Sequence, residues 1–556
     1  MNFNYPLSAA ALAAAILAGA AADAHADAVT DWNTTAGDVI VQAKIGTPPA
    51  VRIMAIVQTA VHEAVSGVQL VHAGEGVDVA SEAAVAAANR AALAKLLPQQ
   101  AAAIDGAYQK AIAKLGDSAG KTAGIAAGEQ AAARVLAWRA DDGAAGADAY
   151  RPHTTPGAYV PTAGVATPHW PQRKTWLMQS ASQFRPGPPP ALGSAQWARD
   201  YNEVKALGSK ASKQRTPEQT EVAKFWEFSL PPIYFSVAKS VAQAPGRNLA
   251  QNARLLAATS QAMDDAVIAV MDAKYHYGFW RPVTAIRNGD RDDNPATEVE
   301  TGWSPLIDNP GHPEYPSAHS ILAAAVGELL KAEVGSGRMP ELVTSSPTAN
   351  GATRRWSSAD AFMKEVADAR VWEGIHFRTS TDVGLAMGKR IGALAATKVA
   401  QSPATAAVPQ VLAPKGEQKL MESIAARGKQ IYECVDDVAA AGGAKWVFVA
   451  PQADLYDRTG ATIGTHYHGP HWEAADGSKI VGAMQARADA PQAGAIPWLL
   501  LSAKSTGPAL GRFAKVSSVQ RINTIGGAIA LTVCDKSTVG LTATVPYSAD
   551  YLMYGT

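Results

Sequence analysis

Lys274-Tyr-His-Tyr-Gly-Phe-Trp-Arg281-Pro282 stands at the end of a helix-type pattern that begins at Arg247. The periodicity predicts one long helix that delivers Lys274 near its C-terminal end. Arg281 follows Lys274 at a spacing of seven. On a continuous helix that is two turns, so both cations point the same way within about 20°. Two like charges on one face with no acid between them repel unless an anion bridges them. Further along, Pro316-Ser317-Ala318-His319 reads as a helix entry, with Pro316 and Ser317 in cap-like positions before the apolar run Ile321 to Leu330. The first free N–H groups of such a helix, backed by its dipole, form an anion site. A third segment, Arg370-Val-Trp-Glu-Gly-Ile-His376, puts Arg370 and His376 on different faces of an ideal helix. Gly374 between them predicts a bend or a new helix start.

Taken together, the three segments supply three fixed cations, two imidazoles, a hydroxyl and a helix start. That inventory suits holding a tetrahedral oxyanion and doing chemistry at its central atom. Arginine matches oxyanion oxygens with a two-pronged fork, and lysine acts as a point charge. His319 stands in a first helical turn, where the dipole lowers its pKa towards an acid/base range. Each piece alone has a plainer reading: a solvated helix face for Lys274 and Arg281, a simple cap for Pro316-Ser317. Their conjunction, in this order, is what points to a site.

These residues resemble the shared signature of the vanadium-dependent haloperoxidases and the type 2 phosphatidic acid phosphatases: Lys-x6-Arg-Pro, then Pro-Ser-Gly-His, then Arg-x5-His. The stretches Trp280-Arg281-Pro282-Val-Thr-Ala-Ile286, Glu314-Tyr-Pro-Ser-Ala-His319 and Ala55-Ile-Val-Gln-Thr-Ala-Val-His62-Glu63-Ala64 are similar to the bacterial haloperoxidase branch. The resemblance covers roughly residues 30 to 400. It implies that Lys274, Arg281 and Arg370 bind the equatorial oxygens of vanadate or phosphate, with hydrogen bonds from Ser317 and the Ala318 N–H. It makes His319 the acid/base at the apical oxygen. His376 becomes the axial vanadium ligand, or the nucleophile that forms a phosphohistidine. Lys274 would polarise bound peroxide, so the catalytic set is His319, His376 and Lys274.

Two departures bear on this. The family glycine of the second motif is Ala318, a small loss if φ there is negative. The phosphatase acid four residues after the last histidine is replaced by Ser380, and the nearest acid is Asp382. His312, five before Ser317, resembles the bromoperoxidases, where chloroperoxidases carry phenylalanine; it is a halide-site candidate or, equally, a loop histidine.

Lys and Arg together balance Asp and Glu at 49 each, which leaves no basic surface to argue for nucleic acid. A hydrophobic content of 47% is enough for sizeable cores in a 556-residue chain, and two or three domains are expected. Residues 8–22 form an Ala/Leu/Ile run followed by Ala24-His25-Ala26, which reads as a signal peptide of residues 1–26; a short membrane anchor is the other reading. No later segment approaches the roughly 18 to 20 uninterrupted apolar residues of a membrane span. The mature protein is therefore expected to be exported, to the periplasm or the extracellular space. In such a compartment the two cysteines, Cys434 and Cys534, read as one disulfide, with free thiols the alternative.

Residues 27–400 are expected to form an all-α haloperoxidase/acid phosphatase-like bundle. Within it, residues 141–195 are rich in Gly, Pro, Tyr and Trp and read as an irregular excursion over the helices, framing a substrate entrance. Ser346–Ser358 reads as a loop. Residues 401–413 form a Pro/Ala linker. From 414 to 556 the periodicity switches to β-type residues between Gly- and Asp-rich turns, which predicts an all-β, sandwich-like domain. Segments such as Gly469-Pro-His-Trp-Glu473 and Gly494-Ala-Ile-Pro-Trp498 resemble an uncharacterised secreted family of unknown function. His466, His468, His471 and Glu473 crowd together there, as a metal site or as turn and surface histidines. Trp472 and Trp498 suit a core or a flat sugar-binding face.

The resemblance implies an exported vanadate-dependent haloperoxidase, which would use peroxide, halide (bromide favoured) and a small organic acceptor. The same pocket would serve a secreted acid phosphatase acting on phosphate esters without a metal. A reading from another class is a cell-wall or glycan-binding protein with a weak or inactive catalytic half.

Overall fold

The computed structural model of the chain describes residues 27–71, 77–162, 164–400, 408–440, 442–457, 462–490, 494–529 and 534–555. The signal peptide expected at 1–26 and residues 401–407 of the expected linker lie outside these residues. Helices occupy the chain up to residue 400: α1 Ala28–Gln42, α2 Thr47–Val71, α3 Val77–Leu96, α4 Ala101–Ile112, α5 Ala119–Trp138, α6 Ala195–Gly208, α7 Pro217–Trp226, α8 Pro232–Ala242, α9 Leu249–Tyr277, α10 Pro282–Arg287, α11 Ala318–Val334, α12 Ala359–Trp372 and α13 Arg378–Ala400.

The centre of the bundle is α9. Asn248 and Gln251 start it with a reciprocal capping box, satisfying two donors that a helix start leaves free. From Asn252 to Lys274 almost every residue is buried, the pattern of a helix enclosed on all sides. Each fully buried Leu, Ile or Met on it contributes about 1.5–3 kcal/mol of burial. Helices α11 and α13 lie close together because Gly384, Gly388 and Gly392 face α11. A Cβ on these glycines would stand 2.7, 2.3 and 2.5 Å from the carbonyl oxygens of Ser317, Ile321 and Ala325. This contact seats the start of α11 directly against the start of α13.

The excursion over 141–194 lacks long elements, as expected, and three acids of α9 clamp it. Arg173 pairs with Asp264 at 2.7 Å and with Asp142 at 2.8 Å. Asp265 accepts the N–H groups of Trp176, Leu177 and Met178, and Arg185 grips Asp272 with both prongs at 2.7 Å. The same excursion meets the segments expected to form the site. Tyr315 donates to the Gly187 carbonyl at 2.8 Å, and Ala166 N–H donates to Gly311 at 2.6 Å.

The loop expected over Ser346–Ser358 is instead mostly a hairpin, β1 Leu342–Ser346 and β2 Ala352–Trp356, paired antiparallel. Its cause is burial: Leu342, Thr344 and Trp356 are enclosed, and Trp356 packs against Trp226 and Phe362. Asn350 and Gly351, both at positive φ, close the turn.

Beyond residue 413 the all-β prediction holds, but the sandwich does not. Strands β3 Lys419–Asp436, β4 Ala444–Tyr456, β5 Thr462–Tyr467, β6 His471–Ala474, β7 Lys479–Ala488, β8 Trp498–Ser505, β9 Val516–Gly526 and β10 Thr542–Gly555 form a closed antiparallel barrel. Closure comes from the long last strand, which pairs with β9 on one side and β3 on the other. Register shifts along β3, β4, β7 and β10 supply the local bends a closed sheet requires. Cys434 and Cys534 are joined in a disulfide. Trp472 and Trp498 are both buried, so they are core residues and not a flat exposed face. Among the described residues no group of His, Cys, Asp and Glu is arranged to hold a metal ion. His466 is inside the barrel with Nδ1 on the His471 carbonyl, while Glu473 pairs with Lys479.

Candidate functional site

Lys274 and Arg281 meet, but not along one helix. Helix α9 stops at Tyr277, Gly278 caps it at φ +55°, and Arg281 is the N-cap of the separate helix α10. The expected same-face geometry is therefore replaced by convergence on one strand of backbone. Lys274 Nζ donates to the carbonyls of Pro313 and Glu314, both at 2.8 Å. Arg281 donates from Nε and Nη2 to the His312 carbonyl, at 3.1 and 2.9 Å. The segment 312–314 is the hub on which both cations are anchored.

Helix α11 begins where the sequence placed it. Ser317 is its N-cap, and Ser317 Oγ accepts from Ser320 N–H and from the Ser320 hydroxyl. Ala318 is the first helical residue and has no positive φ, so the missing glycine costs nothing in backbone conformation there. Gly374 makes the predicted bend, at φ +78°. A Cβ on it would lie 2.3 Å from the Gly208 carbonyl oxygen, so α6 and the α12–α13 corner touch backbone to backbone. That corner aims Arg370 from the end of α12 and His376 from the start of α13 into the same buried space.

Arg370 donates from Nη1 to the Trp226 carbonyl at 2.7 Å and to Glu373 at 2.5 Å, while its Nε is buried without a partner. His319 Nε2 is also buried and unpartnered. His376 is contacted on both ring nitrogens: Nδ1 lies 2.8 Å from Glu314 Oε1, and Nε2 lies 3.3 Å from Arg281 Nη1. Guanidinium only donates, so Nε2 carries the lone pair and Nδ1 the proton, which goes to Glu314. The two contacts define one tautomer. His312 Nδ1 lies 3.0 Å from Arg281 Nη2 and 3.2 Å from the Pro313 carbonyl. It belongs to the cluster and is not a free loop histidine.

The electrostatics are those of a cation cluster taken out of water. Burial, then Arg281, hold Lys274 well below its ordinary pKa. Burial and the neighbouring cations likewise hold His319, His376 and His312 well below the usual imidazole range. Arg281 is brought down to about 10, mainly by burial. Such depressions report unfavourable positive charge, and a bound anion would relieve them. Buried Arg370 Nε and His319 Nε2 give the same message as donors or acceptors awaiting a partner. The residues present fit an oxyanion.

One residue of this site carried no role at the sequence level. Glu314 is fully buried, and burial raises its pKa to about 7. Its carboxylate receives His376 Nδ1, the Phe377 N–H at 3.0 Å and the Ser380 hydroxyl at 2.6 Å. Ser380 thus stands where the phosphatase pattern has an acid and holds an acid that arrives from another segment. Asp382 is exposed and takes no part. The available signal was a carboxylate three residues ahead of Ser317, in a segment with a proline on each side.

Residues 254–404 match the family model described as the VCPO second helical-bundle domain, and residues 414–555 match that of a protein of unknown function, DUF3455. Vanadium chloroperoxidase of Curvularia inaequalis is 25% identical over 209 residues, 32% of this chain and 34% of that protein. The chain therefore spans about a third of the length of this curated relative. A solved bacterial vanadium-dependent iodoperoxidase superposes with a TM-score of 0.56 at 21% identity, covering 67% of this chain and 95% of that one. The holo form of a bacterial vanadium-dependent chloroperoxidase gives 0.53 at 19% identity, covering 64% and 93%. The helical region shares their fold, its residues 254–404 are similar to the VCPO second helical-bundle domain, and the all-β region that follows is similar to the unknown-function family.

Proposed function

We propose that this chain is an exported vanadate-dependent haloperoxidase that oxidises halide, bromide in preference, with hydrogen peroxide. The observation that carries the reading is His376, whose Nδ1 proton is committed to Glu314 and whose Nε2 lone pair faces the cluster of Lys274, Arg281, Arg370 and His319. Bound at that lone pair, vanadate would supply Lewis-acid activation of peroxide without a change of metal oxidation state. Lys274, Arg281 and Arg370 would neutralise its oxygens, and Ser317 Oγ with the Ala318 N–H would complete the cradle. His319, held neutral by burial and then by the surrounding cations, gains basicity once an anion offsets those cations. It would then take or return a proton at an oxygen of the bound oxyanion. His312, on Arg281 Nη2, would be the halide-site group. The disulfide between Cys434 and Cys534 supports an oxidising compartment, and with it export.

A second reading is favoured by Glu314. A histidine nucleophile for phosphate esters also needs a carboxylate on its far nitrogen, and Glu314 supplies the one missing at Ser380. The two readings part on one experiment. Metal-stripped protein is reconstituted with vanadate and given bromide, peroxide and a halogen-accepting dye; a second sample without vanadate is given an aryl phosphate. Vanadate-dependent dye bromination supports the peroxidase. Phosphate hydrolysis that vanadate blocks, without bromination, replaces it with the phosphatase.

A further inference from the structure

The barrel holds a cavity of about 340 Å³, distinct in its residues from the oxyanion site. An eight-stranded barrel has an interior just wide enough to be filled by side chains or to take one small ligand. Here a glycine sits on the cavity wall: Gly482, whose missing Cβ would stand 2.9 Å from the Trp472 ring and 3.1 Å from Leu501. Three exposed apolar side chains, Phe448, Val449 and Met484, also border it.

The wall is aromatic and carries a cation. His466 stacks on Trp472 with centroids 4.4 Å apart and planes 15° apart, and Tyr551 meets both edge-on. Arg521 lies directly opposite Leu499 on β8 and Tyr551 on β10, so the three side chains share one face of the sheet. Its Nε and Nη2 are committed to the Pro497 carbonyl at 3.1 and 2.8 Å, which fixes the guanidinium in place. Among the described residues no acidic side chain lines the cavity, and Tyr551 Oη and Trp472 Nε1 are buried without a hydrogen-bond partner. His466 gives its Nδ1 proton to the His471 carbonyl at 2.7 Å, so its Nε2 is an acceptor. Arg521 is half-buried at the cavity wall, and its fixed guanidinium offers a docking point to an anion. Flat apolar walls select the body that carries that anion.

We propose that this cavity binds a small aromatic carboxylate, with the carboxylate on Arg521 and Tyr551 and the ring against Trp472 and His466. Arginine edges suit carboxylate oxygens, and a cavity of this volume admits a one- or two-ring compound.

The test uses the full-length protein and a matched pair of probes, 2-naphthoate and 2-naphthalenemethanol, titrated calorimetrically. The acid should bind about ten-fold or more tightly than the alcohol. Arg521→Gln should remove that preference while leaving the alcohol's affinity unchanged, and Arg521→Lys should retain part of it. Gly482→Leu crowds Trp472 and Leu501 on the cavity wall and, with the barrel's melting transition retained, should abolish binding of both probes. Equal affinity for acid and alcohol in the wild-type protein, or no binding of either, overturns the proposal. So does acid binding that survives Gly482→Leu. If Arg521→Gln does not fold, the wild-type preference and the Gly482→Leu result still decide.

Discussion

Glu314 Oε1 lies 2.8 Å from His376 Nδ1, and this contact turns a buried histidine into an oriented lone pair. Partners of this kind, one bond removed from the reacting centre, commonly change ligand affinity or activity 10–100-fold when removed. Glu314→Gln keeps the shape but presents an amide that can donate to Nδ1 and reverse the tautomer. Vanadate affinity should fall about 10–100-fold, measured by equilibrium dialysis, with the melting transition retained. Undiminished affinity would remove Glu314 from the site.

His376→Ala should abolish both dye bromination and phosphate hydrolysis. His319→Ala should separate binding from chemistry: vanadate still binds, held by the cations and His376, while turnover falls about 10²–10⁴-fold. A variant that loses binding and turnover together would make His319 part of the cradle alone.

Ala318→Gly restores the residue of the resembled motif. Because Ala318 is already helical without a positive φ, vanadate affinity should stay within about two-fold. Stability should fall by about 0.5–1 kcal/mol, the ordinary cost of glycine in a helix. Urea titration of the pair of proteins measures it, and a gain in affinity above ten-fold would mean that the alanine methyl intrudes on the anion.

The barrel's response to acid should trace to His466. Burial holds its pKa at about 3 against an unperturbed 6.5. A depressed histidine contributes stability that is fully present above about pH 6.5 and is lost as pH falls towards 3. Within that window the slope approaches about 1.4 kcal/mol per pH unit. His466→Phe, which keeps the stacking on Trp472, should flatten it, as read from hydrogen exchange of the barrel strands at pH 7 and pH 4.5. An unchanged slope would place the acid sensitivity elsewhere.

Replacing Cys434 and Cys534 by serine should lower barrel stability by about 2–5 kcal/mol. Turnover at the helical site should be unaffected at temperatures below the new transition. A loss of turnover in step with barrel unfolding would make the two regions depend on each other.

Legibility followed range along the chain. Ser317 as a cap, α9 ending beyond Lys274 and the bend at Gly374 were readable because each depends on a few neighbouring residues. The meeting of Lys274 with Arg281 was anticipated for the wrong reason: a helix stop at Gly278 is a local event, but the anchoring carbonyls of 312–314 lie some forty residues on. Glu314 was invisible as a partner of His376 because their pairing spans 62 positions and no periodicity encodes it. Sandwich and barrel differ only in whether the last strand returns to the first, and alternation within each strand is the same for both. The hairpin at 342–356 failed for a related reason, since Trp356 is drawn in by Trp226 and Phe362 from separate helices.

The pairing that closes the barrel puts Lys419 opposite Gly555, so the start of its first strand and the end of its last lie side by side. A unit with adjacent ends is a cassette: it can be lifted out and spliced into a surface loop of a carrier protein with little separation demanded of the loop's stems. The barrel is thereby suited to transfer as a portable module, whatever chain it is attached to.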